Sequence, residues 1–100
     1  MVKRKIVWSS RANSDLSIIL DFFYIRNGSK TYSRKLNSKL RKAIRLLSKH
    51  PLIGIQSDVE NTRALVEGDY AIFYQIVEEN IRIITIWDCR QNPDNLIIPK

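Results

Sequence analysis

The apolar positions repeat first with the period of a strand, twice with that of a helix, and then three times with that of a strand. Lys3 to Trp8 interleaves Ile6 and Trp8 with Lys5 and Val7 and reads as a short strand. Ala12, Leu16, Ile19, Leu20 and Phe23 follow at helical spacing. Ser9 or Ser10 suits the N-cap of that helix, where a hydroxyl oxygen accepts an otherwise unpaired backbone N–H. Asn27-Gly28 ends it, because both residues tolerate positive φ. A second apolar stripe, Tyr32, Leu36, Leu40, Ala43, Ile44 and Leu47, begins after a cap at Ser29. It stops at His50-Pro51, since proline disfavours helical backbone in the residue before it. The short break between the stripes predicts an antiparallel helix hairpin.

Pro51 to Asn61 reads as a connecting loop. Strand patterns then span 62–67, 70–77 and 81–88, with turns expected at Gly68-Asp69 and Glu79-Asn80. In the middle strand Tyr70, Ile72, Tyr74 and Ile76 share one face, and Ala71, Phe73, Gln75 and Val77 the other. The last strand is apolar on both faces, Ile81, Ile83 and Trp87 against Ile84 and Ile86, which predicts a central position with helices over one side. The expected fold is α+β, in the order β-α-α-β-β-β. An antiparallel helix hairpin packs on one face of a mostly antiparallel, twisted sheet. The first strand is expected to join that sheet, with its partner left open.

Length and composition narrow the class. One hundred residues, 44% of them hydrophobic, with three Gly and three Pro, suit one small globular domain over 1–100 with a limited core. No apolar run approaches the roughly 20 residues of a membrane span. The basic start, Met1-Val2-Lys3-Arg4-Lys5, is not followed by the apolar stretch of a signal peptide, so the cytoplasm is the expected compartment. The single Cys excludes an internal disulfide and a Cys-based zinc site, and neither metal nor cofactor is expected.

Charge adds more. Residues 1–50 hold 13 Lys or Arg against two acids, a net +11, whereas residues 51–100 hold four against eight, a net −4. Lys30, Arg34, Lys35, Lys39, Arg41, Lys42, Arg45 and Lys49 fill the polar positions of the second helix with no acid among them. A half this basic favours an anionic partner: RNA, DNA or an acidic protein segment. A plainly solvated helix face is the alternative reading.

The order and spacing of several motifs carry a resemblance. Arg63-x-Leu65-x-x-Gly68-x-Tyr70-x-Ile72-x-Tyr74 and the strand end Trp87-Asp88-Cys89-Arg90 are the most specific. Trp8-x-x-x-Ala12-x-x-Asp15-Leu16-x-x-Ile19 and His50-Pro51-x-x-Gly54 support them. Together, from Ile6 to about Leu96, the chain resembles the RelE/ParE toxins of type II toxin–antitoxin systems, the plasmid stabilisation family. The resemblance implies a toxin that halts growth when free and is silenced by a cognate antitoxin in a hetero-oligomer, with no membrane involved. RelE-like members of that family cut mRNA in the ribosomal A site with Arg, Lys and sometimes Tyr or His on the sheet's concave face. ParE-like members largely lack that set and inhibit DNA gyrase. Here Ala71 follows Tyr70 where nucleases often carry Arg, while Arg90 keeps a basic residue after the last strand. Asn92-Pro93-Asp94-Asn95-Leu96 offers no counterpart to the later Tyr or His-Tyr pair of some nucleases. The expectation leans to a ParE-like block of DNA gyrase. The alternatives are a ribosome-dependent mRNA interferase and a degenerate, non-toxic antitoxin-binding module.

RNA cleavage by 2′-hydroxyl attack needs a proton acceptor, a proton donor and a cation near the phosphate. If the chain is a nuclease, Arg63 and Arg90 are its candidate cations, Asp88 its base, and Tyr74 or Tyr70 its proton donor. The plain alternative is a strand-end ion pair of Asp88 with Arg90 and two core tyrosines. For binding a nucleic acid or protein target, the candidates are Arg34, Lys35, Lys39, Arg41, Lys42, Arg45, Arg63 and Arg90. His50, at a helix end before proline, and Cys89, with no neighbouring His, are expected to be structural or merely exposed.

Overall fold

The computed structural model describes residues 4–91. The expectations placed on Met1 to Lys3 and on Asn92 to Leu96 lie outside the described residues. β1 (Lys5–Trp8) leads into two helices, α1 (Ser10–Asn27) and α2 (Thr31–Lys49). β2 (Ile55–Gln56), β3 (Thr62–Glu67), β4 (Tyr70–Val77) and β5 (Asn80–Asp88) follow. The five strands lie in the order β1-β5-β4-β3-β2. All neighbours are antiparallel except β1 and β5, which run parallel and pair Ile6 with Ile81 and Trp8 with Ile83. The first strand therefore finds its partner in the last of the described strands, and β5 is internal as its two apolar faces require.

Local chemistry accounts for most element ends. The Ser9 hydroxyl accepts from the Ala12 N–H at 3.0 Å and donates to the Ile84 carbonyl at 2.7 Å, so one side chain caps α1 and ties it to β5. Gly28 closes α1 in the left-handed conformation (φ 65°), its N–H reaching the Tyr24 carbonyl. At the start of α2, Lys30 rather than Ser29 is the N-cap residue and gives no side-chain cap bond. The Ser29 hydroxyl still accepts from the Thr31 N–H at 3.2 Å, two residues on, which is the bond an N-cap side chain makes. α2 ends at Lys49, directly before His50-Pro51.

Three expectations need correction. The loop 51–61 contains β2, a two-residue edge strand too short to show any alternation. The turn before β5 falls at Glu78-Glu79, with Glu78 at φ 55°, and Asn80 already belongs to the strand. On β5, Ile81, Ile83 and Ile86 join the core beneath the helices. Strict alternation had put Ile86 on the face opposite Ile81 and Ile83. The register shifts opposite Phe73 and Tyr74, which pair with Thr85 and Ile83, and the extra residue switches the face of everything after it.

Asp15 holds this bulge. Its carboxylate accepts from the Thr85 hydroxyl and, at 3.3 Å, from the Ile86 N–H, so a polar side chain of α1 satisfies one side-chain and one backbone donor at the bulge. The core itself lies between the helix hairpin and one sheet face. Leu16 of α1, Leu40, Ile44 and Leu47 of α2, and Ile72, Tyr74, Ile81 and Ile83 of the sheet are all buried in it. Tyr32, expected in the α2 stripe, is half-exposed and meets the Phe23 ring edge-on at 4.7 Å. Ser33 takes the buried position instead, its hydroxyl bonded to the Leu20 carbonyl at 2.8 Å where the two helices touch.

Candidate functional site

Strand alternation decides which side each candidate faces. Cross-strand partners share a face, and Arg63 pairs with Tyr74, Leu65 with Ile72 and Asp88 with Tyr70. Ile72, Tyr70 and Tyr74 belong to the core under the helices. Arg63, Tyr74, Tyr70 and Asp88 therefore lie on the helix-covered face. The opposite, open face carries Ala64 and Val66 of β3, Ala71, Phe73 and Gln75 of β4, and Arg82 of β5.

On the covered face the candidates form two separate groups. At one end, the Tyr74 hydroxyl is fully buried; it donates to the Pro51 carbonyl at 2.7 Å and accepts from the Gly54 N–H at 2.9 Å. Burial pushes its pKa up, against the opposing pull of the Gly54 hydrogen bond and the nearby Arg63 charge. Arg63 is bonded to the Gly54 carbonyl at 2.8 Å. Gly54 has no side chain for a spatial reason: a Cβ there would stand 2.5 Å from the Tyr74 hydroxyl and 3.0 Å from the Ala64 carbonyl. Arg63, Tyr74 and the 51–54 turn are thus one hydrogen-bonded knot that anchors the loop to the sheet.

At the other end, Arg90 grips Asp88 with two nitrogens, both at 2.9 Å, and the Asp88 carboxylate also accepts the Arg90 backbone N–H. The hydrogen bond from Arg90 holds the Asp88 carboxyl below the usual carboxylate range. The Arg90 guanidinium also reaches the Tyr70 hydroxyl at 3.4 Å and the Asp69 carboxylate at 3.9 Å. Burial raises the Tyr70 hydroxyl pKa, and Arg90 opposes that rise. Burial, reinforced by Asp88 and Asp69, likewise raises the thiol of surface Cys89, the reverse of what a nucleophile needs. Tyr70 and Tyr74 are four residues apart on β4, so the two groups are separated by about 13 Å along the strand.

The cations of α2 are exposed and divide by flank. Lys39 pairs with Glu67 of β3 at 3.9 Å. Arg41 stacks over Trp8 of β1 at 5.2 Å and bonds Asn37. At helical spacing, Lys35 and Lys42 fall toward the Lys39 flank, and Arg34 and Arg45 near the Arg41 flank. Sequence reasoning passed over Arg82, the exposed cation that β5 places on the open face. Its alternation with Ile81 and Ile83 was the signal that could have found it. The role of Asp15 was also missed, because nothing local announces a bulge seventy residues away. His50 is exposed at the end of α2.

This architecture is found in solved toxin–antitoxin complexes. The chain is similar to a chain of the chromosomal ParDE system from P. aeruginosa, with 19% identity and a TM-score of 0.75 over 84% of this chain and 94% of that one. It is similar also to a chain of the RelBE2 complex from Mycobacterium tuberculosis, with 22% identity and a TM-score of 0.61 over 85% and 96%. A chain of the E. coli DinJ-YafQ complex gives 17% identity and a TM-score of 0.56 over 87% and 93%. Identities this low speak for the fold alone. A search of curated protein sequences finds no match to the chain. The family profile described as ParE toxin of type II toxin–antitoxin system, parDE, matches residues 6–93. Spanning nearly the whole described sheet and both helices, that match means that the chain belongs to the ParE toxin family.

Proposed function

We propose that the protein is the growth-inhibiting toxin of a type II pair and acts in the cytoplasm by blocking a target of the DNA gyrase kind rather than by cutting RNA. The observation that carries this reading is the engagement of the candidate cleavage residues. Tyr74 has its hydroxyl buried with both hydrogen-bonding roles filled, and Arg63 is committed to the Gly54 carbonyl. Arg90 and Asp88 neutralise each other about 13 Å away along β4. On the open face of the described sheet the cation is Arg82, which stands across from Gln75 and not from a tyrosine or carboxylate.

A cognate antitoxin would silence it. Ile18, Phe22 and Ile25 are exposed on one side of α1 at i, i+4 and i+7, and Ile18 and Phe22 border Tyr70, Asp88 and Arg90 around a hollow of about 190 Å³. An amphipathic segment laid along that stripe would bury apolar surface that water now meets. The solved relatives, determined as toxin–antitoxin complexes, support the same partner.

Two assays in parallel test the mechanism. In the first, the purified chain should inhibit DNA supercoiling by gyrase; in the second, primer extension on mRNA from cells expressing it should show no new ends. Codon-phased cuts that disappear in Arg90→Ala, with supercoiling untouched, would replace this reading with the mRNA interferase.

A further inference from the structure

The end of α2 and the start of β1 enclose a trough that neither the fold nor the proposed blocking mechanism uses. Arg4 and Ser48 stitch its floor: the Arg4 N–H reaches the Ser48 carbonyl at 3.2 Å, and the Ser48 hydroxyl the Arg4 carbonyl at 2.6 Å. Hollows of about 690 and 600 Å³ open on the two sides of this stitch and share Arg4, Ser48 and Lys49. Lys42, Arg45 and Lys49 follow one another along the helix about one turn apart, and Arg4 stands across from them. None of Lys42, Arg45 and Lys49 pairs with a carboxylate among the described residues. Between the cations the walls are aliphatic, Ile6 and Leu46 on one side of the stitch, Leu52 and Ile53 on the other.

We propose that this trough binds a single-stranded nucleic acid, with its phosphates on Arg4, Lys42, Arg45 and Lys49 and its bases against the aliphatic walls. Three features favour that ligand. Lys42, Arg45 and Lys49 are long, exposed and without a carboxylate partner, and part-buried Arg4 adds its charge while its guanidinium donates to the Glu78 carbonyl, which suits a repeating polyanion bound by counter-ion release and not one carboxylate held at a fixed point. They recur along a line, as phosphates do. The walls are apolar, and a single strand can turn base faces toward them whereas a duplex keeps its bases stacked inside. The inference is independent of the blocking mechanism, because none of the cations Arg4, Lys42, Arg45 and Lys49 belongs to the Arg63 or Arg90 group; only the aliphatic wall at Leu52 and Ile53 borders the turn that Arg63 and Tyr74 hold.

Fluorescence anisotropy of the full chain with labelled oligo-dT and oligo-U, each about twelve nucleotides long, tests it. Binding should weaken with salt with a log–log slope of about −2.8, the value for four phosphates on a single strand. Lys42→Glu with Arg45→Glu and Lys49→Glu should reduce affinity at least tenfold, or about 1.4 kcal/mol, with an unchanged circular dichroism melt. Charge reversal at Lys35 and Lys39, nearer the start of α2 and outside the trough lining, should change affinity far less. Tighter binding of one oligonucleotide would identify whether RNA or DNA is the source. The proposal falls if the triple variant binds as well as wild type, if a duplex of equal length binds more tightly than either strand, or if polyglutamate of equal charge binds in preference. The last result would assign the trough to an acidic peptide instead.

Discussion

Removing one oxygen from Tyr74 would strand two backbone groups at once. Tyr74→Phe leaves the Gly54 N–H and the Pro51 carbonyl without their partner, and a buried unpaired polar group costs about 1–3 kcal/mol. The thermal midpoint should drop by roughly 5–15 °C for a chain of this size. If the variant is expressed at a level where it stays folded, it should still arrest growth, since the hydroxyl is structural in the proposed mechanism. Asp88 gives a test through pH. Its folded pKa is depressed by Arg90, so the pair contributes stability above the unfolded carboxylate value of about 4. That contribution is lost as pH falls through the folded value. The melting difference between wild type and Asp88→Asn should therefore be present at neutral pH and fall away as the pH is taken below the ordinary carboxylate value of about 4. It should be small, because Arg90 is exposed and water screens the pair.

At the scale of elements, the bond between α1 and the β5 bulge is the one worth breaking. Asp15→Ala leaves the fully buried Thr85 hydroxyl and the Ile86 N–H without an acceptor, at about 1–3 kcal/mol. Adding Thr85→Val should recover part of that loss, and a double-mutant cycle by urea unfolding would show the coupling. On the outer side of α1, Phe22→Glu with Ile18→Glu should change stability by less than about 0.5 kcal/mol, yet abolish co-purification with the antitoxin. Both helices, the three long strands and the Tyr70-Ile72-Tyr74 face were legible in the sequence, because period and caps agree there. β2 was not, since two residues have no period. Ile86 was misplaced because one inserted residue reverses the alternation that the reading depended on. The site was legible as residue types only: the sequence offered Arg63, Tyr74, Asp88 and Arg90 as candidates. What each of them grips depends on the turn at 51–54 and on the register of β4, which spacing alone does not encode.

For the molecule as a whole, the charge asymmetry becomes a division of surfaces. The +11 half gathers most of its cations on α2, on the side turned away from the sheet, whereas the apolar stripe lies on α1. An antitoxin on α1 would leave the α2 flank free, so a silenced complex should retain the salt-sensitive affinity for single strands. Measuring anisotropy with the toxin–antitoxin complex in place of the free chain would check this, and loss of binding would mean that the partner reaches over α2.

The parallel pairing of β1 with β5 has a consequence for how the protein is made. Ile6 waits for Ile81, so most of the polypeptide must leave the ribosome before its first strand has anywhere to dock, and contacts this distant in sequence form late. Helices and an unclosed sheet would emerge first, without a finished target-facing surface. A cell translating this message would have an interval in which the nascent chain is harmless. Pulse-labelled chains arrested before β5 should accordingly be cleaved by protease throughout, and those released after it should resist.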